Sequence, residues 1–219
     1  STQGVSSAAS DVYKRQQRLL PNHIFEKEKD SNWAGIDRGA LILVKQGIQP
    51  IFSVGDFDSV NNEERLMLMK NLHIEPVEAE KDDTDLALGV AQAVERGYTE
   101  ITIYGATGGR LDHFMGVLQI LQKPQYLHQS IKIKVIDQQN HIQLLNEGKY
   151  VINRDSTYPY ISFIPLNDKT ILTLQGFKYN LNQEHLNLGS TLTISNEVKV
   201  NEAIIRVEQG TVLKIRSRD

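Results

Sequence analysis

The chain has 219 residues, 40% hydrophobic and 23% charged, with no cysteine and a net charge of -3 at pH 7; that length and composition fit one or two folded domains with a sizeable core, not a disordered chain. Without cysteine there can be no disulfide, thiolate metal site, iron–sulfur cluster or cysteine nucleophile, and without a basic excess nothing points to a nucleic acid or an anionic membrane. No apolar run approaches the ~18 residues that span a bilayer, so the cytoplasm is the expected compartment.

Ser1–Gln16 is small, polar and serine-rich, with isolated Val5, Val12 and Tyr13, and has neither strand alternation nor helical period. Residues 1–18 are therefore expected to be a disordered or foreign segment. After Leu19 strands and helices alternate. Trp33–Ile36 reads as a short strand closed by Asp37, Ala40–Val44 is apolar, and Ile51–Val54 is a strand running into Gly55-Asp56-Phe57-Asp58-Ser59. Glu63–Leu72 has helical spacing, Ile74–Val77 is a candidate strand, and Thr84–Arg96 is a helix closed by Gly97. Ile101–Tyr104 is a β-branched run before a glycine cluster, Leu111–Leu121 is helical, and Ile131–Ile136 alternates as a strand. From His141 the helical period vanishes. Ile142–Leu145, Tyr150–Ile152, Tyr160–Ile164, Thr170–Leu174, Thr191–Ile194, Ala203–Val207 and Val212–Ile215 read as short strands separated by turn residues.

The expected fold class is α/β. A Rossmann-like, mostly parallel sheet with helices on both faces spans residues 19–140, and a smaller all-β sandwich spans residues 141–219.

Ligands of open α/β sheets bind outside the carboxyl ends of the strands, and four such ends carry unusual residues. Asp56 and Asp58, two apart in an extended turn, point to the same side and can share a hard cation such as magnesium; the same pair can also serve as ordinary turn and cap residues. Asp82 and Asp85 can share a face across a helix start, where acids are favoured anyway. Glu78–Asp85 holds five acids and one lysine, and packing them beside Asp56 and Asp58 would be repulsive without a cation. Gly105-Ala106-Thr107-Gly108-Gly109 ahead of a helix offers backbone N–H groups to a phosphate, and Arg110 adds a bidentate fork. It is not a Walker A loop. Asp112 and His113 follow in the first helical turn, where a capping acid and a hydrogen-bonding histidine are equally ordinary. Acids for a metal, glycines and an arginine for phosphates suit phosphoryl or pyrophosphoryl transfer.

In order and spacing, Asp37-Arg38-Gly39-Ala40, Gly55-Asp56-Phe57-Asp58-Ser59, Lys81-Asp82-Asp83-Thr84-Asp85 and Gly108-Gly109-Arg110-Leu111-Asp112-His113 resemble the thiamine pyrophosphokinase family. So, more weakly, do Leu174-Gln175-Gly176-Phe177-Lys178-Tyr179 and Leu188-Gly189-Ser190 leading to Ser195-Asn196-Glu197. The resemblance runs from about Leu20 to the C-terminus. It implies transfer of the terminal pyrophosphate of ATP to the thiamine hydroxyl, with release of AMP. It also implies magnesium dependence and a homodimer that binds thiamine between the α/β domain of one subunit and the β-domain of the other. Carried onto this chain, Asp56, Asp58 and Asp85 become the catalytic and magnesium-binding acids. Asp37, Asp82, Thr84, Gly105, Gly108, Gly109, Arg110, Asp112 and His113 fall on the nucleotide side, and Ser195 and Asn196 on the thiamine side. Family members open with a hydrophobic strand and a glycine turn; here Ser1–Gln16 stands in that place, so the first strand is expected to be lost or replaced, leaving an exposed edge or gap in the sheet and part of the ATP site missing. A related magnesium phosphotransferase with another small alcohol acceptor, or a non-catalytic nucleotide- or thiamine-binding module, are the rival readings.

Overall fold

Residue contacts divide the chain between Gln138 and Gln139 into two units. The computed structural model describes residues 3–8 (backbone), 20–55, 60–72, 83–127 and 131–219. The predicted strand at Ile74–Val77 lies outside the described residues.

The first unit is built on five parallel strands: β1 (Gln3–Ala8), β2 (Asn32–Asp37), β3 (Phe52–Val54), β4 (Glu100–Tyr104) and β5 (Lys132–Ile136). Their order is β5-β4-β1-β2-β3, every neighbouring pair parallel. The chain thus steps outward from β1 to β3 on one side, then crosses to β4 and β5 on the other. Helices α1 (Ile24–Lys27), α2 (Arg38–Lys45), α3 (Asn62–Asn71), α4 (Asp85–Glu95), α5 (Leu111–Leu121) and α6 (Pro124–Leu127) supply the connections among the described residues.

Two expectations are corrected here. Gln3–Ala8, read as part of a disordered or foreign start, is the central strand: Gln3–Ala8 pairs with Asn32–Asp37, and Gln3–Ser6 with Ile101–Tyr104. No gap separates β2 from β4. A parallel ladder is made by backbone N–H and C=O groups that every non-proline residue carries, so a slot with two open edges can recruit a segment of poor strand propensity.

Local chemistry accounts for the helices. Asn61 accepts a hydrogen bond from the Glu64 N–H at 2.9 Å while the Glu64 carboxylate accepts from the Asn61 N–H at 3.2 Å, a complete capping box that starts α3. Thr84 caps α4 by accepting from the Ala87 N–H at 3.3 Å. The β2–α2 turn is tight because Gly35 has no side chain: a Cβ there would lie 2.5 Å from the Ala40 Cα. Likewise α4 lies close on β2, where a Cβ at Gly89 would overlap Ile36. One apolar cluster packs Leu20, Ile24, Trp33, Leu43 and Tyr104 together, with the Trp33 and Tyr104 rings 5.7 Å apart. A second joins Ala40 and Leu41 of α2 to Leu68 and Leu72.

The second unit is wholly antiparallel. Strands β6 (Asn140–Leu145), β8 (Tyr160–Pro165), β11 (Asn196–Glu197) and β13 (Val212–Ser217) pair in the order β11-β8-β13-β6. Strands β7 (Gly148–Asn153), β9 (Thr170–Gln175), β10 (Leu181–Leu186) and β12 (Glu202–Gln209) form a sheet in the order β10-β9-β12-β7. Leu145, Ile161, Phe163 and Val212 from the first set share one buried core with Ile152, Leu172, Leu174, Leu186 and Ile205 from the second. The predicted strand at Thr191–Ile194 is instead a turn, closed by the Ile194 N–H on the Thr191 carbonyl at 3.2 Å. Its alternation served another end: Thr193 is buried and donates its hydroxyl to the Phe163 carbonyl, while Leu192 and Ile194 are exposed.

Candidate active site

Because the five strands are parallel, Asp37, Gly55, Gly105 and Asp137 all leave the sheet at one edge. Helix α4 enters β4 through four residues, so its first turn, some 16 Å back along an 11-residue helix, lies toward that same edge. Helix α5 starts there directly, after the loop that follows β4. The order of the strands reverses between β1 and β4, and crevices for ligands open at such a switch point; the Gly105–Arg110 loop stands beside it.

Asp37 marks the end of β2 with a backbone at φ 48°, ψ -127°. A non-glycine residue in that region carries strain that its surroundings must hold, and strain of this kind gathers at functional sites. Gly55 comes so near that a Cβ on it would overlap the Asp37 carboxylate oxygen, so glycine is required for the approach. That contact sets Asp37 against Gly55, which immediately precedes Asp56 in the sequence. Asp56, Asp58 and Asp82 themselves lie outside the described residues, as do Phe57, Ser59 and Lys81. Asp85 is the first residue of α4, and Asp83 just before it is ion-paired with Lys123, which holds its carboxyl below the usual range.

The Gly105–Gly109 loop takes left-handed backbone at Gly105 (φ 74°) and Gly108 (φ 79°). Between them Thr107, buried, donates its hydroxyl to the carboxylate of Asp137, also buried, at 2.6 Å. At the end of the loop Arg110 forks onto Asp112, Nε to Oδ1 at 3.1 Å and Nη2 to Oδ2 at 2.5 Å. Asp112 Oδ1 also accepts the His113 N–H at 2.9 Å. The Arg110 guanidinium lowers the Asp112 carboxyl to about 2. Since both side chains are well exposed, the fork orients Arg110 at the head of α5 more than it stabilises the fold. In Arg110→Gln, Asp112 is expected to titrate near the ordinary 3.8, read by NMR on the carboxyl carbon; a value still at about 2 would assign the shift to the His113 N–H instead. A depressed carboxyl contributes above its ordinary value and loses that contribution as pH falls through the lowered one, so the wild-type fork persists to near pH 2.

In the second unit Ser195 is exposed, with left-handed backbone at φ 57°, and its N–H donates to the Ser162 hydroxyl at 3.0 Å. Asn196 is buried and committed to backbone. Its Oδ1 accepts from the N–H groups of Tyr179 and Glu197 at 3.0 and 2.9 Å, and its Nδ2 donates to the Tyr179 carbonyl at 2.8 Å. Beside it Lys178 and Lys199 flank Glu197 at 2.6 and 2.8 Å, and the Lys178 ammonium chiefly lowers the Glu197 carboxyl to about 2.

Thus the structure gathers Asp37, Thr84, Asp85, Gly105, Gly108, Gly109, Arg110, Asp112 and His113 toward one edge of the first unit. Among the described residues no three acids or histidines converge as a ready metal cluster. Asp37, packed against Gly55, is nevertheless an oxygen donor of the kind a hard cation requires. Sequence reasoning missed Asp137, although it follows β5 in the way the other acids follow their strands. A cavity lined by Gln49, Pro50, Ile51, Phe52, Ser53, Asn71 and Leu72 sits at the amino end of β3, opposite this edge.

Comparison with known proteins shows a family. The family profile described as the thiamin pyrophosphokinase catalytic domain matches residues 26–135, and that of the thiamin pyrophosphokinase vitamin B1 binding domain matches residues 149–212. Thiamine pyrophosphokinase of Bacillus subtilis is 43% identical over 207 residues, 93% of this chain and 95% of that protein. Thiamin pyrophosphokinase 1 of Caenorhabditis elegans is 26% identical over 76% of this chain and 70% of its own. A crystal structure of the Bacillus subtilis enzyme superposes with a TM-score of 0.88 at 39% identity, each chain wholly covered. One of a probable thiamine pyrophosphokinase from Staphylococcus saprophyticus gives 0.78 at 43%, also with full coverage of both.

Proposed function

The chain belongs to the thiamine pyrophosphokinase family, and from that premise we propose how its strand-end residues carry out the reaction. The chain is an enzyme with thiamine pyrophosphokinase activity: it transfers pyrophosphate from ATP to the hydroxyl of thiamine, giving thiamine diphosphate and AMP. The observation that carries the mechanistic reading is the common edge, where Asp37, Gly55, the Gly105–Arg110 loop and the head of α4 meet at the carboxyl ends of the parallel strands. We take that sheet as Rossmann-like, the compartment as the cytoplasm, and the working form as the homodimer that the family resemblance implies.

The thiamine hydroxyl oxygen attacks the β-phosphorus of ATP in line. The bond from that phosphorus to the oxygen bridging it to the α-phosphate breaks, AMP leaves with the bridging oxygen, and a carboxylate of the acidic edge accepts the hydroxyl proton. Backbone N–H groups of Gly105, Gly108 and Gly109 and the head of α5 receive phosphate oxygens. Arg110, oriented by Asp112, pairs with them, His113 stands in the first turn beside it, and Thr84 holds the start of α4 so that Asp85 faces the edge. Asp56, Asp58 and Asp85 would hold Mg²⁺, with Asp37 and Asp82 in support; the ion supplies charge neutralisation to the triphosphate. Ser195 contacts thiamine, while Asn196 acts by fixing the Tyr179 backbone against β11.

The reading is tested by AMP release from ATP with magnesium, with and without thiamine. AMP that appears only with thiamine, and stops on chelation of the metal, supports it; thiamine-independent release refutes it. Ser195→Ala is expected to raise KM for thiamine about tenfold, as loss of one hydrogen bond at a binding contact does, and KM for ATP less than twofold. The reverse order would remove Ser195 from the thiamine side.

A further inference from the structure

Ahead of Arg110, the loop that follows β4 has one side chain able to hydrogen-bond. Gly105, Ala106, Gly108 and Gly109 offer none, and the left-handed backbone at Gly105 and Gly108 gives the segment freedom on either side of Thr107. The Thr107 hydroxyl meets the Asp137 carboxylate at 2.6 Å, both residues buried. Asp137 is well placed to hold it. Strands β4 and β5 are adjacent and in register, Tyr104 opposite Ile136, so the next residues, Gly105 and Asp137, leave the sheet side by side. In this bond the threonine hydroxyl donates and a carboxylate oxygen accepts.

We propose that Asp137 is a positioning residue of the pyrophosphoryl transfer: through Thr107 it catches the Gly105–Arg110 loop in the shape that receives the triphosphate of ATP. The inference rests on the assignment of that loop to the nucleotide. Asp137 touches neither substrate. It sets where the loop N–H groups and Arg110 stand, and misplacement of such groups by a fraction of an ångström weakens both ATP binding and its alignment. Thiamine binding does not depend on the catch.

The test uses the full chain and Thr107→Val, which keeps the shape and removes the donor, Thr107→Ser, which keeps the hydroxyl, and Asp137→Asn, which keeps an acceptor. Thr107→Val is expected to raise KM for ATP about tenfold or more and to lower kcat, with KM for thiamine within about twofold. Thr107→Ser should return KM for ATP to within about threefold of wild type, and Asp137→Asn should fall between. A drop in Tm with unchanged kinetic constants well below melting, or a serine variant no better than the valine one, would overturn the proposal. If Thr107→Val does not fold, Asp137→Asn with an unchanged KM for ATP overturns it alone. Calorimetric titration of ATP separates this from the assignment of the reaction. A wild type without thiamine-dependent AMP release would refute the reaction, while weaker ATP binding by Thr107→Val would still support the catch and equal binding would overturn it.

Discussion

Asp58→Asn is expected to lower kcat by roughly 10²–10³-fold at saturating magnesium, the scale seen when one preorganised charge-stabilising group is removed from an active site. The amide has the shape of the carboxylate and lacks its charge, so the loss reads charge at the phosphates. In sequence Asp58 lies four residues beyond the end of β3, and Gly55, directly after that strand, approaches the Asp37 carboxylate closely. The amide also fills the volume of the carboxylate, so Tm is expected to stay within a few degrees. Near-wild-type turnover at saturating magnesium would take Asp58 out of the metal-binding set. Loss of turnover together with a collapse in Tm would mean that the aspartate serves the fold instead.

The double substitution Gly4→Val, Ser6→Val is expected to raise Tm by on the order of 10 °C. Strand β1 lies between β2 and β4, whose residues Trp33–Ile36 and Ile101–Tyr104 are buried without the alternation of a one-sided strand. A strand between two such neighbours is ordinarily apolar throughout, yet Gln-Gly-Val-Ser-Ser-Ala holds a single branched aliphatic residue. A buried valine side chain contributes about 1.5–3 kcal/mol, glycine in a strand costs about 0.5–1 kcal/mol, and 1 kcal/mol moves Tm by about 2–4 °C at this size. Differential scanning calorimetry reads the shift directly. Residues 4 and 6, two apart on the strand, share one face, and an unchanged or lower Tm would contradict apolar cover on that face.

That same strand shows where sequence reading stops. Trp33–Ile36, Ile101–Tyr104, Thr84–Arg96 and Leu111–Leu121 were legible because their apolar spacing reports burial, and each is the element expected. Strand β1 was not, since its place comes from backbone pairing with two neighbours distant in sequence. Strand β10 escaped for the opposite reason: Asn182–His185 is polar and exposed, so the strand carries no burial signal. Thr191–Ile194 alternates like a strand and is a turn, because only Thr193 turns inward, to the Phe163 carbonyl.

At the site, the rule that ligands gather beyond strand ends picked out Asp37, Gly55, the glycine loop and Asp85 without any coordinates. It would have picked Asp137 too, had it been applied to the end of β5. The fork of Arg110 on Asp112 and the burial of the Asn196 amide were beyond reach. The first depends on side-chain rotamers at a helix start, and the second on a loop at Phe177–Tyr179 some seventeen residues earlier.

The most direct test of the central claim follows the phosphorus. With ATP labelled at the β-phosphate and thiamine as acceptor, the label is predicted to pass entire into thiamine diphosphate, with one unlabelled AMP formed for each. Labelled ADP alongside thiamine monophosphate would mean transfer of a single phosphoryl group, and would contradict attack at the β-phosphorus.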